Sequence, residues 1–378
     1  LGAVNNIGVS AGLSEDTYNR GYAGGVSAVV TVSGAVSYVD FDYQVDAHLG
    51  PNVVVDQAKT ISIHAQTLSS NTAKSGEIAA SFGLGAGVSY AEVDSDGATS
   101  AYVGEDAAIG QAAGKEVDAL DVKADASSTA YAESKHLAAG ILAGGYNEAD
   151  TGVNSTTTAA VGSNAKIRLQ NDLTVVARAD TNSRAYTWGG GFGGVGVGAG
   201  VVEASAKPIV RAAILGGAQS DIDVDGAIDV RAYSNYDAAG NVISGKTVWA
   251  DNDATVGSAF FSMVEPSSTA QSDSTVEAYI GDDADMDAQG DLTVRAKSYT
   301  GDVKAEVDGH AYSLGAAPGN NKSTATIIQT VNAYIGQDAA VSADSVDVHA
   351  DARSQANART VGGAGSLLLT MSSARADT

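Results

Sequence analysis

The sequence predicts an all-β chain wound as a parallel β-solenoid of six imperfect repeats of about 55 residues, with very little helix. Three observations predict it. Two short signatures recur together six times, apolar residues inside each unit alternate with period two, and large core-filling side chains are scarce. Of 378 residues only 5 are Phe, 2 Trp and 3 Met, against 45 Gly. A mean hydropathy of −0.02 argues against disorder. Such a chain must pack small side chains in a thin, regular layer.

The first signature reads Ala47-His48-Leu49-Gly50, Ala101-Tyr102-Val103-Gly104, Ala159-Ala160-Val161-Gly162, Ala213-Ile214-Leu215-Gly216, Ala278-Tyr279-Ile280-Gly281 and Ala333-Tyr334-Ile335-Gly336. Successive glycines stand 54, 58, 54, 65 and 55 residues apart. The second signature follows each by about 15 residues and ends on Ala65, Ala124, Ala177, Ala232, Ala296 or Ala350, as in Leu292-Thr293-Val294-Arg295-Ala296. The units run over 1–44 (partial), 45–99, 100–156, 157–210, 211–274, 275–330 and 331–378 (partial), one elongated repeat domain across 1–378.

Strict alternation, as in Val276, Ala278 and Ile280 and again in Leu292, Val294 and Ala296, predicts strands with one buried face. Three strands of about five residues fit one coil. Each signature glycine is expected at a corner, where positive φ or close packing is needed. The rest of each unit is rich in Gly, Ala and Ser, as in Ser81 to Ser89 and Gly189 to Gly200. It fits either further, wider coils or a β-excursion on the flank. Two or three coils per unit at about 4.8 Å each give a rod of roughly 60–85 Å.

Charge and composition exclude several functions. With 21 basic and 45 acidic residues the formal charge is −24, which argues against nucleic acid or an anionic membrane as partner. No apolar run is long enough for a transmembrane helix, so no membrane insertion is expected. The absence of cysteine excludes disulfides, thiol catalysis and Cys-ligated zinc. No signal peptide is visible at Leu1, and the chain reads as a piece of something longer.

Motif matches are outweighed by their context. Gly240-Asn241-Val242-Ile243-Ser244-Gly245-Lys246-Thr247 fits the P-loop pattern, but Val248-Trp249-Ala250-Asp251 is no helix start, so a polar β-turn is expected. Gly191 to Gly196 fits the dinucleotide fingerprint without a βαβ unit around it. Gly8-Val9-Ser10-Ala11-Gly12 fits the nucleophile elbow without a partnered histidine nearby in sequence. Asp221 to Gly226 and Asp282 to Asp287 resemble calcium loops, but alternation puts their carboxylates on a strand's outer face. Loosely bound Ca²⁺ is therefore the most the acids imply, and no cofactor, resident metal or catalytic residue is assigned. The chain is read as not an enzyme.

Two outward columns are the candidate contacts. Tyr102, Tyr279 and Tyr334 share a position, which fits a tyrosine ladder, glycan stacking or lateral packing. The residue before the last alanine of the second signature is His64, Lys123, Val176, Arg231, Arg295 or His349. This basic column fits charge balance against neighbouring Asp, or a stripe for an acidic partner.

The units Ala278 to Ser298 and Ala333 to Ala352 resemble repeats of large bacterial exported adhesins of the filamentous-haemagglutinin-like and leukotoxin-type classes. That resemblance implies a right-handed parallel β-helix at the bacterial cell surface. It supplies no catalytic residues, and the secretion domain of the haemagglutinins is not recognisable. The expected function is a structural extracellular fibre segment that self-associates end to end through open strand edges, or side by side. The alternatives are an adhesive module for glycans or cell-surface receptors, and a β-helix polysaccharide-processing enzyme.

Overall fold

The structure, a computed structural model, describes residues 6–112 and 117–378. Among the described residues every regular element is a strand and none is a helix. The 19 strands form one connected sheet system in which strand pairs with strand in parallel.

Each unit contributes one layer. Ile7 pairs with Ile61, Ile61 with Leu120, Leu120 with Leu173, Leu173 with Ile228, Ile228 with Leu292 and Leu292 with Val346. Seven layers at about 4.8 Å span about 29 Å. This corrects the expected two or three coils per unit and the longer rod. It also corrects the expectation of three five-residue strands, because the Gly-rich stretch winds no further coil. It lengthens two of the three strands instead.

In each layer an outbound arm runs away from the signatures. These arms are Asn6–Ser27, Ala58–Ser81, the first half of Val117–Val161, the first half of Leu173–Ala206, Ile228–Ser234 continued by the start of Thr247–Ile280, Leu292–Ser313 and Val346–Ser366. A turn at the far end sends the chain back along a return arm such as Val30–Leu49, Leu84–Val103 or Ala316–Ile335. A short strand then closes the layer, as in Lys166–Leu169, Asp221–Val224 and Asp285–Ala288. The result is a three-walled corner region that narrows into a flat, two-walled blade.

Packing follows this geometry. The corner interior holds long aliphatic side chains, among them Ile61, Ile63, Ile109, Leu120, Ile167 and Leu173. The blade interior is mostly Ala and Val, including Ala73, Ala91, Ala130, Ala132 and Ala149. Its two walls also meet through buried polar pairs: Thr67 with Thr99 at 2.7 Å, Asn71 with Ser95 at 3.1 Å and Ser75 with Ser89 at 2.7 Å.

The corners differ from expectation in a second way. Gly50, Gly104, Gly162, Gly281 and Gly336 are not in the left-handed region. Close approach selects all but Gly50, where a Cβ would meet nothing within 4 Å: a Cβ on Gly104 would lie 2.5 Å from the backbone of Gly50 and Pro51. The positive φ falls two residues later, at Asn52, Asp106, Asn164, Asp283 and Asp338, all between 55° and 58°. Asn and Asp tolerate that conformation better than most side chains. The fourth signature also shifts by one. Ala212, not Ala213, aligns with Ala159 and Ala278, so Leu215 occupies the glycine column and Gly216 stands one residue beyond.

Candidate functional site

Alternation sends every second side chain of an arm outward, and in-register stacking places the outward residues of successive units in columns. The tyrosine column lies beside the corner on the return arms. It reads His48, Tyr102, Ala160, Ala213, Tyr279 and Tyr334. His48 stacks on Tyr102 with centroids 4.7 Å apart, and Tyr279 on Tyr334 at 5.0 Å, both with rings 2° from parallel. Thus the ladder is two stacked pairs separated by two alanines. Over Ala160 lies an open cavity of about 490 Å³, lined by Tyr102, Thr158, Glu105 and Leu215. The free face of the Tyr102 ring, an aliphatic wall and a rim of hydroxyl and carboxylate oxygens face one another there. That arrangement can hold a ring with one apolar face and polar edges.

The basic column lies on the outbound arms and reads Ser10, His64, Lys123, Val176, Arg231, Arg295 and His349. Its cations meet carboxylates two residues away or one layer away. Lys123 Nζ lies 3.0 Å from Asp121, Arg231 pairs with Asp229, and Arg295 Nε donates to Asp347 at 2.8 Å. His64 Nε2 lies 3.0 Å from Asp125, which also accepts from Arg178 Nε at 2.6 Å. Ser10 is adjacent to His64 in the next layer, which sequence spacing alone did not reveal. It sits in mid-strand, without the strand-to-helix turn of a nucleophile elbow.

Elsewhere the columns set like charge on like. Glu92, Asp150 and Glu203 are neighbours in successive layers, as are Asp251 and Glu306. Burial, reinforced by the adjacent carboxylates, pushes both Asp150 and Asp251 up to about 7. Among the described residues no group of three or more His, Asp or Glu is arranged to hold a metal ion. Asp282 caps the next layer instead, accepting from the Gln337 N–H at 2.7 Å.

The P-loop match falls in a large insertion in the fifth layer. Between Ser234 and Thr247 the chain leaves the outbound wall and returns, with an antiparallel bridge from Tyr236 to Val242. The Asn241 N–H donates to Asp237 at 2.8 Å and its amide at 3.1 Å, which holds the Asp237 carboxyl below its usual range. Lys246 leads into a strand, so no helix N-terminus faces the loop. The dinucleotide match, Gly191 to Gly196, spans the far turn of the fourth layer.

Sequence reasoning missed two features. The first copy of the second signature, Ile7 to Ala11, escaped because Gly8 stands where the other copies carry Ser, Thr or Asp, and Ser10 where most carry a basic residue. The left-handed Asn/Asp column escaped too, although Gly-x-Asn/Asp recurs after five of the six signatures. No family model, no curated protein and no solved structure matches the chain.

Proposed function

We propose that this chain is a structural segment of an extracellular fibre at a bacterial cell surface, wound as a right-handed parallel β-helix with one coil per unit. The observation that supports it is the unbroken parallel register of the second signature through all seven layers. A stack of this kind has no natural end. Every layer offers the same backbone edge to the next, so longer stacks are continuous and stiff. Outward positions carry no packing duty, so the chain tolerates acidic columns that keep a long fibre soluble. The resemblance of its repeats to exported filamentous adhesins points to the same location. Immunogold electron microscopy of the producing cells, with antibody raised against this chain, tests the reading. Label along surface or shed fibres is expected; label confined to the cell interior overturns it.

The cavity beside Tyr102 favours a second reading, in which the fibre is also an adhesive module for glycans. A pyranose would set its apolar face on the Tyr102 ring and its hydroxyls toward Thr158 and Glu105. Titration with free hexoses and N-acetylhexosamines, followed by NMR, is expected to broaden or shift Tyr102 signals. Saturable binding should disappear in Tyr102→Ala.

A further inference from the structure

The far edge of the blade is the one surface that every layer builds in the same uncommon way. Residues 21–39, 78–91, 137–147, 185–202, 254–264, 311–321 and 360–374 each straddle one far turn. None of the 45 acidic and 21 basic residues falls within them. Stacking therefore merges seven uncharged segments into one uncharged band on a chain of net charge −24. Along the crest of that band stand Val29, Phe82, Ile141, Phe260, Leu314 and Leu368, between 61 and 84 % exposed. Val29, Ile141, Phe260 and Leu368 share one turn position with Gly83, Gly194 and Gly315, Phe82 and Leu314 stand one residue earlier, and only the fourth layer, at Gly194, puts no large side chain on the crest. A Cβ there would lie 3.5 Å from the Ile141 side chain and 3.6 Å from the Phe260 ring.

Ordinary turn chemistry does not call for this crest. A tight turn at a solvent-facing edge is the usual place for Asn, Asp, Ser and Gly. A large exposed apolar strip in an otherwise acidic molecule marks an interaction surface.

We infer that the crest is the contact between two copies of this chain, joined side by side along their blade edges. Charge selects a second copy and also says where it docks. Two copies of net charge −24 repel wherever their acidic columns face, and the uncharged band is where they meet without that cost. Spacing argues the same way. Layers about 4.8 Å apart set the crest side chains alternately at two turn positions, and a second copy presents the same stagger, so apolar side chains of the two copies interleave along the edge. The area also suffices. The exposed side chains of the crest and of its shoulders, such as Leu84 and Leu142, offer on the order of 1,000 Å² per copy, against roughly 800 Å² per partner in a stable complex. An anionic bilayer is disfavoured by the charge of the whole chain, and the band itself brings no cation to attract one.

This contact is independent of the fibre reading: the copies pair whether or not each belongs to a longer stack. Sedimentation velocity and light scattering on the 378-residue chain across a concentration series test it. A discrete species of twice 37.7 kDa is expected, more populated at 0.5 M than at 0.05 M NaCl because salt screens the acidic faces. The double variant Phe82→Asp, Phe260→Asp should weaken association at least tenfold while leaving the circular dichroism spectrum and melting temperature unchanged, since both side chains face solvent. If that variant fails to fold, Phe82→Ser with Phe260→Ser carries the same comparison. A wild-type chain that stays monomeric throughout, or a dimer indifferent to these changes, overturns the inference. Open-ended polymers whose width and extent the double variant leaves unchanged also overturn it, because end-on stacking is then the only contact. So does co-sedimentation of a monomeric chain with neutral phosphatidylcholine vesicles, which assigns the band to lipid.

Discussion

The corner and the blade share one backbone ladder and are filled with opposite materials. At the corner three walls enclose a wide interior, and Ile63, Leu120, Leu173 and Ile228 occupy it in successive layers with essentially no exposure. In the blade two walls lie face to face, and mostly Ala, Val, Ser and Thr fit between them, where the corner takes Ile and Leu. The corner is therefore held chiefly by apolar burial. The blade relies on unbroken strand pairing, on many small contacts and on hydroxyl pairs that satisfy each other across the gap. The difference teaches that a continuous sheet need not have a uniform core. The number of walls at each point decides how large a side chain can be.

The comparison is sharpest where the two materials are truncated. Leu120→Ala at the corner is expected to cost about 3 kcal/mol, through lost transfer energy and a cavity its stacked neighbours cannot fill. A lowered urea midpoint with an unchanged slope would register it. A loss under about 1 kcal/mol would break the claim that the corner anchors the fold.

The blade carries one buried group that acid disfavours. His136 is buried with no protein partner on either ring nitrogen, and burial pushes it down to about 4. The fold keeps it neutral, whereas the unfolded chain protonates it near 6.5. The contribution of this histidine to stability should thus fall by about 3 kcal/mol as pH drops from 6.5 to 4. Glu77, one layer away in the same inward column, is pushed upward by burial and lies nearer to neutral than a free carboxyl. Asp150 and Asp251 act in the opposite sense. Their raised folded values make them stabilise most below the ordinary carboxylate range, a contribution lost as pH rises toward 7. The difference between stability curves of the parent chain and His136→Gln isolates the histidine. Parallel curves between pH 4 and 6.5 would refute this account.

Smaller effects separate the hydroxyl pairs from the apolar contacts. Thr67→Val leaves the Thr99 hydroxyl facing an apolar neighbour and should cost about 1 kcal/mol, whereas Thr67→Val with Thr99→Val should restore most of it. Equal losses in the single and double variants would show that the pair contributes nothing specific. Smallest of all is the outer surface of the corner. Arg295→Ala removes a partly exposed pair with Asp347 and should shift stability by less than about 1 kcal/mol, with even less effect in high salt.

Much of the corner is legible in the chain itself. Its residues are bulky, alternate strictly and recur at matching positions, so the shared phase of Val122, Val175, Val230 and Val294 is enough to announce one inward column. The blade is less legible because Ala, Ser and Gly alternate with each other. A period of two among small residues marks neither a buried face nor the point where the chain reverses. The length of each arm and the single coil per unit were therefore hidden. Leu215 concealed the true register of the fourth signature, because the extra residue it brings is absorbed by left-handed Gly216 and Gly217. The tyrosine column could be read as a column, but the shelf at Tyr102 depends on Ala160 being its neighbour in the next layer.

By itself the sequence determined a stacked parallel β architecture, its repeat near 55 residues, the inward columns of the corner and the acidic exterior. These follow from local alternation and from residues that repeat in phase, and both are properties of short stretches. Tertiary structure alone decided that each unit makes one layer, that the Gly-rich stretches form a two-walled blade, and that seven uncharged turns meet in one band. Those outcomes depend on where residues more than 50 positions apart come into register. That register is set by the backbone pairing of whole layers and is not written in any one of them.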